Sequence, residues 1–335
     1  MKDTKLIIVT GMSGVGKSTS AQNLARLFQQ NDISYTWYHE EMKDHPIRWI
    51  NGGEFTVGDL CSEEGMELNI ADMFDRWTSL INKIMDIGGV HIMEGCLYEN
   101  INRYFFRGNY SKEKIIAFYD KLMKILELTN LQIIFLYRPK IKENLEKAFV
   151  VRGDRWKNLI LNPKSYTYFD THEYVDNDSV FSMWEEYQNL ANSIFERYQG
   201  SKIKIDTSEE QWHSYLGSLA EYLNIKHFDK DDLPLTSIEK YCGRYFFEDA
   251  NGKHEIDVIS ENGNLYCSPF WFKHILMNSS GNDEFELLGF PMKFSYVFKD
   301  KKKFIRVTGN YDWDIVGNTL EECEAYAKGS LEMIQ

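Results

Sequence analysis

Gly11-Met-Ser-Gly-Val-Gly-Lys-Ser18 brings three glycines, one lysine and two hydroxyls into eight residues, and Thr19 adds a third hydroxyl. The spacing is G-x-x-x-x-G-K-[ST]. Gly11, Gly14 and Gly16 let the backbone turn where a Cβ would collide, so that successive N–H groups, those of Ser13 and Val15 among them, face one anion. Lys17 adds an ammonium, and the Ser18 hydroxyl suits Mg²⁺. Such a loop needs a strand before it and a helix after it. Leu6 to Val9 supply the aliphatic run of a strand buried on both faces, and Ala21, Leu24, Ala25 and Leu27–Phe28 supply an amphipathic helix. The helix N-terminus then adds its positive dipole end to the anion site. The stretch reads as a nucleoside-triphosphate site, with ATP and Mg²⁺ as the expected cofactors.

Phosphoryl transfer also needs a proton acceptor, a metal ligand and cations on the transferring group. Glu40 ends a second expected strand, Ile33 to Tyr38, and is the candidate base, with Glu41 beside it as competitor. Asp44 and His45 follow as candidate substrate-binding groups. His39 and His45 are six apart, so the stretch is not a zinc-protease motif. Glu94 closes a third short run, Val90 to Met93, where P-loop proteins hold Mg²⁺. Arg152 and Arg155, in Arg-Gly-Asp-Arg, stand where a lid would bring arginines onto the phosphate. Arg103 and Arg107 flank Tyr104-Phe-Phe and are candidates to grip an anionic or aromatic acceptor. An ordinary loop acid, a capping Asp and surface arginines are the plain alternatives.

The elements expected around these residues alternate. Helical patterns at 68–87, 112–128, 140–149, 178–199 and 208–224 are interleaved with strands at 131–137 and 202–205, and a mobile loop is expected at 47–65. That alternation predicts a parallel α/β sheet over 1–226. His227 to about 237 reads as a linker, and 238–335 as a β-rich domain, barrel or sandwich, of seven short runs from Tyr241 to Thr308. Glu261-Asn-Gly-Asn264 and Asn278-Ser-Ser-Gly-Asn282 are among its expected turns, and a helix over 320–333 is expected to close it.

The chain has 335 residues, 43% of them hydrophobic, and a formal charge of −13. That charge argues against nucleic acid or an anionic membrane as principal partner. Five scattered cysteines without framework or zinc spacing point to a reducing cytosol, and no apolar run approaches a membrane span. No N/T-K-x-D guanine motif occurs, and Asp86-Ile-Gly-Gly89 precedes the third strand, which excludes a standard GTPase. Glu94 is followed by Gly95 instead of a second acid, unlike motor ATPases. A kinase of a small hydroxyl-bearing molecule is the favoured reading. The alternative is a nucleotide-binding regulator that signals to the β domain. Oligomeric state is left open.

On these motifs residues 1 to about 225 resemble the thymidylate-kinase-like and nucleoside-kinase-like P-loop kinases. The resemblance implies a catalytic acid at Glu40 and a lid at Arg152-Gly-Asp-Arg155. The chain resembles still more closely a group of bacterial P-loop proteins with a Glu followed by Asp-His-Pro after the second strand, matched by Glu40 and Asp44-His45-Pro46. Their Arg before an Asn-Tyr-x-Lys-Glu-Lys-Ile helix start is matched by Arg107 and Asn109 to Ile115. Thymidylate kinases carry Asp-Arg-Tyr after the third strand, where this chain has Glu94-Gly-Cys96, so the resemblance does not carry their nucleotide acceptor with it. Residues 240–310 resemble a small lipocalin-like barrel.

Overall fold

The computed structural model describes residues 3–40, 42, 45–47, 62–227, 238–249, 252–269, 274–299, 302–313 and 318–325. Backbone contacts divide the chain into two compact units, a first that ends at Phe228 and a second made chiefly of Asp229–Gln335.

The first unit is built on five parallel strands: β1 (Leu6–Thr10), β2 (Tyr35–Tyr38), β3 (Val90–Glu94), β4 (Gln132–Tyr137) and β5 (Ser201–Asp206), in the order β2-β3-β1-β4-β5. β1 is central and every one of its residues is buried, as its unbroken aliphatic run requires. Its register sets Val9 opposite Glu94 and Ile134, so the carboxyl ends of β1 and β3 lie within one residue of each other and β4 runs two residues past the end of β1. Open α/β sheets place their ligands at that edge. Around the sheet lie α1 (Lys17–Gln30), α2 (Glu63–Ile87), α3 (Lys112–Leu126), α4 (Ile141–Ile160), α5 (Asn177–Arg197) and α6 (Trp212–Leu223).

Three local expectations are corrected. Helix α2 begins five residues earlier than its periodicity suggests, because the Ser62 hydroxyl accepts the Gly65 N–H and caps it. Within the loop expected at 47–65, residues 48–61 lie outside the described residues, and 62–65 are cap and helix. The helix expected at 140–149 runs on to Ile160 across a break at Gly153, whose φ of 76° and ψ of 178° no helix accommodates. Arg152-Gly-Asp-Arg155 is therefore a kink between two helical stretches instead of a separate loop.

The second unit is an antiparallel sheet of eight strands, β6 (Gly243–Asp249), β7 (Gly252–Glu261), β8 (Asn264–Pro269), β9 (Ile275–Gly281), β10 (Glu284–Leu287), β11 (Met292–Lys299), β12 (Lys302–Trp313) and β13 (Asn318–Ala325), paired in sequence order. Its first and last strands approach each other, which nearly closes it into a barrel. Alternate residues face inward: Ile256 and Val258, Leu265 and Cys267, Met292, Phe294 and Tyr296 are all buried. Asn262 and Gly263, with φ of 52° and 76°, make the two-residue hairpin turn that their dipeptide favours.

The expected turn at Asn278–Asn282 is instead mostly strand, since β9 continues to Gly281 and pairs with β10. The helix expected from Leu320 is contradicted by β13, which pairs Leu320 with Tyr311 and Asn318 with Trp313. β12 is longer than its apolar run suggests, and its outer N–H and C=O groups take a strand to satisfy them. The part of that call beyond residue 325, and the linker call from residue 228 on, lie outside the described residues. Among the described residues no helix is long and apolar enough to cross a membrane. The fold is thus a parallel-sheet α/β unit with a P-loop between β1 and α1, plus a separate, nearly closed antiparallel barrel.

Candidate functional site

The phosphate loop joins β1 to α1, and four neighbouring elements hold it. Asn144 of α4 donates its Nδ2 hydrogen to the Ser13 carbonyl at 2.9 Å. The Thr207 hydroxyl, just past β5, donates to the Val15 carbonyl at 2.9 Å. Trp212 at the start of α6 lies so close that a Cβ on Gly16 would come 2.1 Å from its ring. On Gly11 a Cβ would meet the Leu136 carbonyl oxygen at 2.1 Å. These two glycines are therefore required by packing as well as by positive φ. The Ser13 and Val15 carbonyls are thus taken by side chains from outside the loop.

Lys17 is 7% exposed. Its Nζ donates to the Met12 carbonyl at 3.2 Å and lies 3.5 Å from Glu99 Oε1. Ser18, on the first turn of α1, donates its hydroxyl hydrogen to Glu94 Oε1. Glu94 is the last residue of β3 and 1% exposed; its Oε2 lies 3.6 Å from His39 Nε2 and has no hydrogen-bond partner. Burial pushes the Glu94 carboxyl up, as does nearby Glu40, while His39, Ser18 and Lys17 pull it down. Glu40 reaches the same place from the end of β2. A Cβ on Gly95 would come within 3.3 Å of Glu40 Oε2, so the glycine after Glu94 makes room for that carboxylate.

Two further groups belong to this cluster and carry no motif. Glu99 accepts the Gly11 N–H on Oε1 and the Thr10 hydroxyl on Oε2, each at 3.0 Å. Burial raises its carboxyl too, Glu40 adds to the rise and Lys17 opposes it. His39 is 3% exposed and faces Glu94. The signal for His39 was its place next to Glu40 at a strand end. For Glu99 there was none, because the turn from Gly95 to Asn100 has no periodicity.

The remaining candidates are spread more widely. His45 is buried; its Nδ1 accepts the Ile47 N–H at 3.1 Å, and its Nε2 lies 3.8 Å from Cys96 Sγ, two residues from Glu94. Arg107 lies over the ring of Tyr166, 5.9 Å from its centroid, and its carbonyl accepts the Thr167 hydroxyl. Arg103 lies in the π-helical turn Ile101–Phe106. Arg152 precedes the break at Gly153 and Arg155 follows it, the latter exposed. The contacts that α4 makes with the loop come from Asn144 and Ala148. Thr19 lies on the first turn of α1. Asp44 and Glu41 lie outside the described residues.

The donor set fits a hard divalent cation. A hydroxyl and a buried carboxylate meet here, and one oxygen of that carboxylate is left without a hydrogen bond. Among the described residues no group of three or more His, Cys, Asp or Glu side chains could hold a metal by itself. Mg²⁺ takes one or two protein ligands and fills the rest with phosphate and water, and the Ser18 hydroxyl and Glu94 carboxylate are the residues that would hold it.

A family model described as an AAA domain matches residues 7–148, less than half of the chain. No curated protein matches the sequence. Among solved structures the chain is similar to a sugar kinase from Janibacter sp. HTCC2649, at 14% identity over 66% of this chain and 95% of that one, with a TM-score of 0.32. It is similar to the Bacillus subtilis YorR protein in complex with phosphorylated GDP at 15% identity, over 66% and 99%, with a TM-score of 0.35. A shikimate kinase from Acinetobacter baumannii is matched at 14% identity over 66% and 93%, with a TM-score of 0.35. Strand order, phosphate loop and the AAA-domain match converge on one statement: the site sits on a parallel-sheet α/β fold with a P-loop.

Proposed function

We propose that this protein is an ATP- and Mg²⁺-dependent kinase that phosphorylates a hydroxyl of a small molecule, such as a nucleoside, an antibiotic or a sugar-like metabolite. The observation that carries the reading is the meeting of Glu40, Glu94, Ser18 and Lys17 at the carboxyl edge of β1, β2 and β3. In this reading the loop N–H groups and Lys17 hold the donor's phosphates. Ser18 and Glu94 hold the metal, which supplies charge neutralisation at the transferring phosphoryl group.

Glu40 accepts the proton of the attacking hydroxyl. It lies on the β2 side of Glu94, so base and metal ligand occupy neighbouring strands instead of competing for one position. Arg152 and Arg155, either side of Gly153, are assigned to the transferring phosphate, and Asp44, His45, Arg103 and Arg107 to the acceptor. The β barrel is assigned no step.

Acceptor dependence tests the reading. Turnover of Mg·ATP is expected to be slow in the protein alone and to rise at least tenfold when a small-molecule extract containing the acceptor is added. Turnover that is the same with and without extract would favour a nucleotide-driven regulator.

A further inference from the structure

Glu99 is the charged group at this site to which the proposed reaction gives no task. Its carboxylate takes a backbone N–H from the first loop glycine, a hydroxyl from Thr10, and the Lys17 ammonium 3.5 Å away. An amide hydrogen plus the loop lysine is the pattern of donors that a phosphate oxygen would seek in a P-loop. A triphosphate that draws Lys17 to itself must take it from Glu99. It leaves a carboxylate that is 11% exposed, close enough to Glu40 for the two to repel, and now short of its cation.

That exchange costs a bare triphosphate and a metal-complexed one differently. Glu94 and Ser18 can take a divalent cation, which neutralises part of the charge the nucleotide brings to a cluster of carboxylates, Glu94 and Glu99 each near Glu40. Without the metal, the nucleotide meets three carboxylates.

We propose that Glu99 is a specificity-determining residue: an internal anion on Lys17 that is exchanged for the donor's phosphate, and that makes the loop select metal-complexed over metal-free nucleotide. The inference rests on the phosphotransfer reading for its ligand, but concerns binding alone. Glu99→Gln keeps an oxygen for the Gly11 N–H and removes the charge. Glu99→Asp keeps the charge on a shorter stem.

Titration calorimetry of the full chain with ATP, once in excess Mg²⁺ and once in EDTA, reads the effect directly. Glu99→Gln is expected to tighten metal-free ATP on the order of tenfold and Mg·ATP distinctly less, so the ratio of the two dissociation constants narrows. Glu99→Asp is expected to keep the wild-type ratio. If Glu99→Gln weakens both forms together, changes both equally, or changes neither, Glu99 is a clamp on the loop and the proposal fails. It fails also if the Asp variant behaves like the Gln variant. Wild-type protein that binds neither form of ATP would remove the phosphotransfer reading and this inference together, whereas normal binding with an unmoved ratio in Glu99→Gln removes this inference alone.

Discussion

The two units of this protein bury different things. Among the described residues, the α/β unit encloses Lys17, His39, His45, His91, Glu94, Arg138 and Asn144, among other polar groups, whereas the barrel encloses Asn278 and otherwise apolar and aromatic side chains. Burying a charge is costly unless it is paired, and each ion here has a partner: Lys17 with Glu99, Glu94 with Ser18 and His39, Arg138 with Glu210 at 3.0 Å. In the barrel, Tyr241 packs on Phe285 and Tyr296 with ring centroids 4.8 Å from each, and the interior is filled by such contacts. The contrast teaches where to look for chemistry. A fold that needed only stability would bury what the barrel buries. Within the first unit, Thr10, His39 and Glu94 are buried where β1, β2 and β3 end.

Substitutions in the two units should therefore fail in different ways. The largest effect is expected for Glu40→Gln, which removes the proposed proton acceptor but leaves the loop intact. Single-turnover transfer should slow by roughly 10²–10⁴ with ATP affinity little changed. An unchanged rate would take the base away from β2 and return Glu40 to a purely electrostatic part.

Next comes Lys17→Ala. Losing one preorganised cation at the proposed transfer site is expected to cost on the order of 10²–10³ in rate, with the secondary structure retained by circular dichroism but a lower thermal transition, since Glu99 loses its paired cation. A fully active variant would show that the loop is not the catalytic site.

Smaller, and specific to the metal, is Glu94→Gln. The amide keeps the size and loses the charge, so half-maximal activity should move to higher Mg²⁺ concentration along with a lower kcat. A superimposable Mg²⁺ titration would make Glu94 a structural carboxylate.

The comparison is sharpened from the other side by Phe285→Ala in the barrel. Phe285 is fully buried, and truncating it should cost about 3–5 kcal/mol of barrel stability by denaturant unfolding, with ATP affinity unchanged. A parallel loss of nucleotide binding would show that the barrel belongs to the site.

How much of this was legible in the sequence depended on how local the cause was. Gly11 to Ser18 could be read because one contiguous motif carries both the turn and the helix start. The nearness of Glu40 and Glu94 could be read because both stand at or just past strand ends on one edge of the sheet. Glu99 could not. Its partner Lys17 is remote in sequence, and the two meet only because β1 and β3 are neighbours, a fact of sheet order.

The same limit explains the barrel's last strand. Leu320 onward has residues that suit a helix, and the unsatisfied edge of β12 overrode that local preference. The Asn262–Gly263 hairpin shows the opposite case, where two residues decide their own conformation. At α4, the expected stop before Arg152 was a helix that resumes, since one glycine can kink a helix without ending it.

The most direct test of the account follows the γ-phosphate itself. ATP labelled at that position, incubated with Mg²⁺, the full chain and a fractionated small-molecule extract, should yield one labelled low-mass organic phosphate with wild-type protein, formed on the order of 10²–10³ more slowly with Lys17→Ala. Label that appears only as inorganic phosphate, at the same rate with every fraction, would contradict transfer to a small-molecule acceptor.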